Sequence, residues 1–486
     1  MAATRTPKTT RSRRPEYSAP IAASYDIARN TAENAAMWQF VDSLSAAEAN
    51  NPAVRKIVRN RARYETANNS YADGMMDTLS YDTVGSAVQL QLGDTDKAQK
   101  IEKDFAAWAH EIKLWQKVRL MRRAKAVDGE VFAKLITNPK LRSRVKLDVK
   151  LLECEMVESW LPAVQSNELD GIRYDEAGNP VAYRILRSHP GDGWRADVLS
   201  KAGDWTDAKF VIHYFSATRP GQVRGVSELL PSLSLFGELR KYTKAVISAA
   251  TRAAEISGVL ETNLLPDDEA AASLSSPISI EIPRNSFLSM PDGWTAKQMK
   301  AEQPTSTYPQ FKSEIINEMA RGQSMPFNVA ACNSSGYNYA SGRLDHQTYD
   351  RSLEIERADL SSDVLDRIYA AWLDEYSTVT GMNVTEIEQA QDHEWHFGGR
   401  DHVDPNKEAN ADETRLQNGT LTRARYWAKR GADWKRETQQ WIEERVQMEA
   451  DWNKARKRAG LEPAPLPSNA GQQMVIQPAK PEEGEE

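Results

Sequence analysis

The stretch His213-Tyr214-Phe215-Ser216-Ala217-Thr218-Arg219-Pro220-Gly221-Gln222-Val223-Arg224-Gly225, followed by Val226-Ser227-Glu228-Leu229-Leu230-Pro231, divides the chain into two textures. It reads as a strand, a tight Pro-Gly turn and a glycine-marked entry into a long helix. Before it, strand and helix periods are mixed. Val145, Leu147, Val149 and Leu151 alternate with polar neighbours, and Val131-Phe132, Leu135-Ile136 and residues 210–215 are further strand formers. Gly171 to Leu186 predicts a hairpin, with Asp175 to Asn179 supplying the turn residues. The first 220 or so residues therefore read as mixed α+β with antiparallel strands.

Helical stripes occupy the rest of this part. Pro52 opens a run through Val54, Ile57, Val58 and Ala62. Tyr71, Met75, Met76 and Leu79 lead to Val84-Gly85, and a short strand follows at Val88 to Leu92. From Ile101 to Val127 one helix is predicted, because Phe105, Trp108, Ala109, Ile112, Trp115, Val118 and Met121 recur three and four apart. Its basic cluster (Lys117, Arg119, Arg122, Arg123, Lys125) reads as a solvated helix end.

After Val226 the helical period dominates. Leu229, Leu233, Leu235, Leu239, Tyr242, Val246 and Ala249 predict a rod of about 45 Å ending near Ile256. Pro266, Pro277, Pro283 and Pro291 then divide a region whose Ile278-Ser279-Ile280-Glu281-Ile282 alternates like a short strand. Helix resumes at Phe311 to Arg321, and again over Asn338 to Tyr376, a run longer than most globular helices. Three gly-separated helical runs follow: Pro405 to Gly419, Thr422 to Gly431 and Ala432 to Arg458. The basic N-terminus and the Pro-, Gln- and Glu-rich end from Pro463 read as disordered.

The 486 residues carry 62 basic and 69 acidic side chains, a formal net charge of -7. A protein that grips duplex DNA is usually basic, so tight DNA wrapping is not what this composition describes. Two cysteines, Cys154 and Cys332, exclude a disulfide framework. No apolar run is long enough for a membrane span.

Candidate chemistry is sparse. His393-x-x-His396, with His402 nearby, is the one histidine cluster; its spacing matches no strong zinc motif and it reads as a loop rim, with Trp395 and Phe397 inward and His396 outward. Ser334 and Ser335 have no activating base at a telling interval. No phosphate-cradling Gly-rich loop is present. No catalytic residue, metal site or cofactor is expected.

Several islands, in order, resemble the lambda-like portal proteins of tailed bacteriophages. They are Asn69 to Gly85, Gly129-Glu130-Val131-Phe132, the hairpin Gly171 to Tyr183, and Arg219-Pro220-Gly221-Gln222-Val223-Arg224-Gly225. Further on come Ala320-Arg321-Gly322, Asn338-Tyr339-Ala340-Ser341-Gly342-Arg343, Val403-Asp404-Pro405-Asn406-Lys407-Glu408-Ala409 and Gly419 to Asp433. Met325-Pro326-Phe327 departs from the family's usual turn, and Ala340 replaces a serine.

The resemblance implies an α+β portal fold closed into a ring of about twelve copies. Residues 1–24 would be a disordered arm, 25–225 a wing, 226–258 a first stem helix, 259–307 a clip and 308–322 a second stem helix. Residues 323–400 would be further wing with a long helix and channel loop, 401–460 a helical crown and 461–486 a disordered tail. The implied function is a channel at the capsid vertex for packaging and ejecting double-stranded DNA and for joining head to tail. The implied partners are further copies of the chain, duplex DNA, the terminase large subunit, the major capsid protein and head-completion or adaptor proteins. The implied setting is the virion, with assembly in the host cytoplasm. Two other readings compete: a metal-dependent nucleic-acid hydrolase, and a generic virion scaffold or adaptor.

Within that plan Arg240, Lys241 and Lys244 are candidates for stem positions facing DNA or a neighbouring subunit. Arg219, Gly221, Gln222, Arg224, Gly225 and Arg343 are candidate structural anchors, the arginines bridging carbonyls or carboxylates across subunits. Asp404 is a candidate N-cap for the helix beginning at Pro405.

Overall fold

The computed structural model describes residues 43–93, 95–157, 167–192, 203–255, 259–262, 294–297, 307–399, 405–430, 432 and 434–465. The basic arm, the Ile278–Ile282 strand, His402, Asp404 and the tail from 466 lie outside them.

The first layer is helical. Asn51 accepts a hydrogen bond from the Val54 N–H and Pro52 sits in the first turn, fixing the start of α1 (Pro52–Asn68). Asn69 caps α2 (Ser70–Val84), which stops at Gly85 with φ 70°. After β1 (Val88–Gln91) come α3 (Asp96–Glu111) and α4 (Leu114–Asp128). The single helix expected over Ile101 to Val127 is thus two. Lys113 turns into the left-handed region at φ 55°, a conformation costing about 1–2 kcal/mol. The break lets Ile112 and Leu114, two residues apart, both enter the core, which offsets that cost through burial. Neither Gly nor Pro marks it.

Two antiparallel sheets follow. β2 (Glu130–Thr137), β3 (Leu147–Leu152) and, later in the chain, Val211–Phe215 form a three-stranded sheet with β2 in the middle. The predicted hairpin is β5 (Ile172–Tyr174) and β6 (Pro180–Leu186), flanked by β4 (Glu168–Leu169) and β7 (Gly203–Asp207) in a four-stranded sheet. Asp175 closes its turn, its carboxylate accepting from the Asn179 N–H at 2.7 Å. The Val211–Phe215 strand is β8.

α5 (Leu233–Glu255) starts seven residues later than the periodicity from Val226 suggested, because Val226 to Ser232 are spent in turns, the last a single 3₁₀ turn at Leu230–Ser232. Short strands β9 (Val259–Thr262) and β10 (Trp294–Lys297) pair antiparallel. α6 (Tyr308–Gly322) packs back on α5 through Tyr242, whose ring lies 5.3 Å from Phe311 and 5.7 Å from Tyr308.

α7 (Tyr339–Leu360) is capped by Asn338 and runs through a π-helical turn, Ser361–Leu365, into α8 (Asp366–Thr380). The long predicted run is therefore one continuous helical element with a π-helical turn inside it. α9 (Val384–Gln391) carries a capping box of Asn383 and Glu386, and β11 (Glu394–Phe397) pairs with β1, Trp395 opposite Leu90. α10 (Pro405–Gln417), α11 (Arg423–Lys429) and α12 (Trp434–Arg458) complete the described chain.

The largest core joins α3, α4, the three-stranded sheet and α8, with Phe105, Trp108, Tyr369 and Trp372 stacked edge and face. A second joins α1, α2, α5, α6 and α7. The junction between these two bodies is where β2 leaves α4 and where the quoted segment leaves β8.

Candidate functional site

α4 ends at Gly129, whose φ of 93° only glycine adopts without strain. The segment after β8 crosses there. A Cβ on Gly225 would lie 2.0 Å from the Gly129 carbonyl oxygen, and one on Gly129 would lie 2.4 Å from the Val226 carbonyl carbon. The Glu228 N–H donates to the Ala126 carbonyl at 2.9 Å, pinning the crossing.

Charge is buried on both sides of it. Glu130 is fully buried. Arg224 donates to it from Nε at 2.8 Å and Nη2 at 2.7 Å, and the Gly225 N–H donates at 3.0 Å. His213 Nε2 lies 3.0 Å from the same carboxylate. Arg224 also donates to the carbonyls of Asp170 and Cys154, so one guanidinium ties β2, the hairpin and the helix entry together. Burial alone would raise the Glu130 pKa; Arg224 and His213 outweigh it and hold the carboxyl well below its ordinary range. Burial pushes the His213 pKa down, against its bond to Glu130.

Around this pair, Arg63 bridges Asp128 and Glu155 at 2.7 and 2.9 Å, and Arg59 reaches Glu155 at 3.1 Å. Burial works against the Glu155 carboxylate, yet Arg59 and Arg63 bring its pKa down to about 2. A second buried group sits one turn back on α4. Arg122 holds Glu228 through two bonds, and Lys125 donates to Glu356 of α7 at 2.6 Å, where Tyr214 also donates.

The predicted solvated basic end of α4 is therefore wrong. Arg122 and Lys125 are buried, Arg123 pairs with Asp73 and Asp77, Lys117 with Asp148, and Arg119 donates to the Gly85 carbonyl. Their clustering near the end of the helical run suggested solvent, but the acids that neutralise them come from α2, β3, α7 and the quoted segment.

The other candidates separate by environment. Gly221 has φ 78° and closes the turn, and the Gln222 side chain accepts from the Thr218 and Arg219 N–H groups. Arg219 is exposed and donates to the Leu44 carbonyl. Arg343 is exposed in the first turns of α7. Arg240 is engaged within the chain: it donates to Glu65 at 2.9 Å and lies over the Tyr64 ring. Lys241 and Lys244 are exposed on α5.

Among the described residues, metal chemistry finds a poor setting. Trp395 and Phe397 pack on the core, and His393 bonds Asp366 and the Gln391 carbonyl. Glu153, Glu155 and His189 converge within 4.8 Å. The Gly191 N–H donates to His189 Nδ1, which leaves the proton of the neutral ring on Nε2, the atom facing both carboxylates. Two guanidiniums already neutralise Glu155. This set is a protein ion cluster.

The buried charges of this site serve as struts between backbone segments. The chain belongs to the lambda family of phage portal proteins: the family model described as "Phage portal protein, lambda family" matches residues 33–357. The probable portal protein of Halomonas phage phiHAP-1 is 23% identical over 406 residues, 75% of each chain. Among solved structures, a chain from the neck of an empty gene transfer agent particle has 13% identity and a TM-score of 0.44, covering 73% of this chain and 87% of that one. An HK97 family phage portal protein from Corynebacterium diphtheriae has 10% identity and a TM-score of 0.29, covering 72% and 96%. The protein is thus a non-enzymatic virion component of the portal vertex, a subunit of the homo-oligomeric channel for DNA packaging.

Proposed function

We propose that the chain follows the full portal plan. The α+β part up to residue 225 with residues 323–400 is the wing; α5 and α6 are the two stem helices; residues 259–307 are the clip; α10 to α12 are the crown. About twelve copies meet head to tail, each offering two different faces. The clip receives the terminase large subunit during packaging and head-completion or adaptor proteins afterwards, while the wing seats in the major capsid protein.

The pairing of α5 with α6 through Tyr242, Tyr308 and Phe311 carries this reading. It returns the chain to the wing core after the 259–307 excursion, as a stem must. In the stem, Lys241 and Lys244 face duplex DNA or the adjoining copy. Weak, screened contacts suit a conduit, because each firm phosphate contact slows sliding. Arg240 acts as a strut to α1 through Glu65.

Electron micrographs of the purified protein test the ring directly. Top views should show annuli with an opening of about 20 Å or more, enough for duplex DNA. Particles with closed centres would overturn the channel. Lys241→Gln/Lys244→Gln rings should assemble normally and change the amount of DNA packaged or retained. Unchanged DNA handling would remove these lysines from the channel.

A further inference from the structure

Two helices of the second core present outer faces that are largely open among the described residues, with Arg240 of α5 lying over the Tyr64 ring at one end of α1. α1 turns Ala62 inward and leaves Val54, Ile57 and Tyr64 exposed, with Lys56 and Arg61 between them. α7 turns Tyr349 and Leu353 into the same core and leaves Leu344 and Ile355 exposed, with Asp345, Glu354 and Asp359 beside them and Arg351 between. Both helices pack on this shared core, and each turns its exposed side chains away from it.

The two faces match. At 1.5 Å per residue, Val54 to Tyr64 spans about 15 Å and Leu344 to Ile355 about 17 Å. The exposed charges of α1 are basic, its one acid, Glu65, being buried under Arg240. The exposed charges of α7 are mixed over its first half, Arg343, Asp345 and Arg351, and acidic from Glu354 to Asp359. Among the described residues, Lys56, Arg61, Glu354 and Asp359 take part in no ion pair. Hollows flank α7 at both ends: one of about 470 Å³ includes Asp345 and Thr348 in its wall, the other, about 410 Å³, includes Glu354 and Ala358.

We propose that the outer face of α1 on one copy docks against the outer face of α7 on the next. This rests on the ring reading above. A closed ring needs unlike, complementary faces, and Val54 and Ile57 beside Lys56 and Arg61 on one copy, facing Leu344 and Ile355 beside Glu354 and Asp359 on the next, provide them. Coverage of the α1 face by the chain's own residues 1–42 is the competing outcome that the test below separates.

The test is cross-linking in the full-length protein. Asn60 and Arg351 are exposed near the middle of the two stripes, so Asn60→Cys/Arg351→Cys is made in a Cys332→Ser background, since Cys332 is the exposed cysteine. A bismaleimide should convert rings into a covalent ladder, and neither single variant should do so. Rings of normal mass that give no ladder overturn the interface while leaving the ring intact; absence of rings from the parent protein overturns the ring reading itself. Dimers from a single variant would show like faces meeting and overturn the proposal. A ladder that appears only after residues 1–42 are deleted assigns the α1 face to that segment and also overturns it. As a second arm, Lys56→Glu/Arg61→Glu should lower the ring fraction roughly tenfold, and adding Glu354→Lys/Asp359→Lys should restore it. A loss that the second pair cannot restore counts against the contact.

Discussion

Gly225 passes so close to Gly129 that a methyl group on it would stand 2.0 Å from the Gly129 carbonyl oxygen. The obstacle is backbone on both strands, so no side chain can swing aside. The crossing also aligns the Gly225 N–H with Glu130.

Gly225→Ala should therefore cost about 3 kcal/mol or more, at the top of the overpacking range. Gly221→Ala has open space around it and pays only for its left-handed backbone, about 1–2 kcal/mol. Urea denaturation of the two variants checks the contrast. Equal losses would mean the crossing relaxes freely.

Breaking the Arg224–Glu130 pair should be costlier than removing it. Arg224→Met leaves a buried carboxylate beside His213 and should lose about 3–5 kcal/mol. Arg224→Met/Glu130→Met should recover part of that loss. Recovery stays incomplete because the Gly225 N–H and the Cys154 and Asp170 carbonyls lose partners as well. A double-mutant cycle on denaturation free energies measures the coupling.

Stability should decline in acid, in two windows. Glu130, Glu155 and Glu356 all have folded pKa values below the ordinary 4.5. Their contribution is complete above that value and disappears as pH falls through the folded pKa, about 2 for Glu155. His213 is also depressed, from 6.5, so the unfolded chain takes up its proton first and stability begins to fall below that pH. Thermal midpoints measured from pH 7 to 2 should drop in both windows. Arg59→Gln/Arg63→Gln should start lower at pH 7 and fall less between 4.5 and 2, since Glu155 then loses its depression.

The three stem cations should behave unequally. Arg240→Met strips the partner from the buried Glu65 and should lower stability by about 1–3 kcal/mol, the cost of leaving a buried polar group unsatisfied. Lys241→Gln/Lys244→Gln should stay within about 0.5 kcal/mol of the parent. Chemical denaturation of the same protein used for packaging assays separates folding from DNA handling.

Local order was legible in the chain. Asn51-Pro52 and Asn338 stand at the starts of helical runs read from the sequence, whereas the helix that Asn383 and Glu386 cap is not legible there, because its stretch is short and polar. Asp175 to Asn179 announces a hairpin through side-chain chemistry two to four residues away. Trp395 and Phe397 point inward by strand alternation, and Arg219 to Gly225 stands out as a turn. Each of these rests on interactions within a few residues, which a sequence displays. The break at Lys113 was not legible, because the apolar spacing continues across it.

What the sequence by itself determined is the order of elements, the antiparallel α+β first part and the family signature. What only the tertiary structure decided is where charge goes. Arg122 and Lys125 look like solvent-facing cations in a linear string and Arg224 like an anchor between subunits, yet their partners Glu228, Glu356 and Glu130 lie in the same chain, from 94 to 231 residues away. Arg240, next to two exposed lysines, turns to Glu65, 175 residues earlier. Coulomb and desolvation terms depend on distance in space and on exclusion of water, and neither is fixed until the two helical and sheet bodies have met at Gly129 and Gly225.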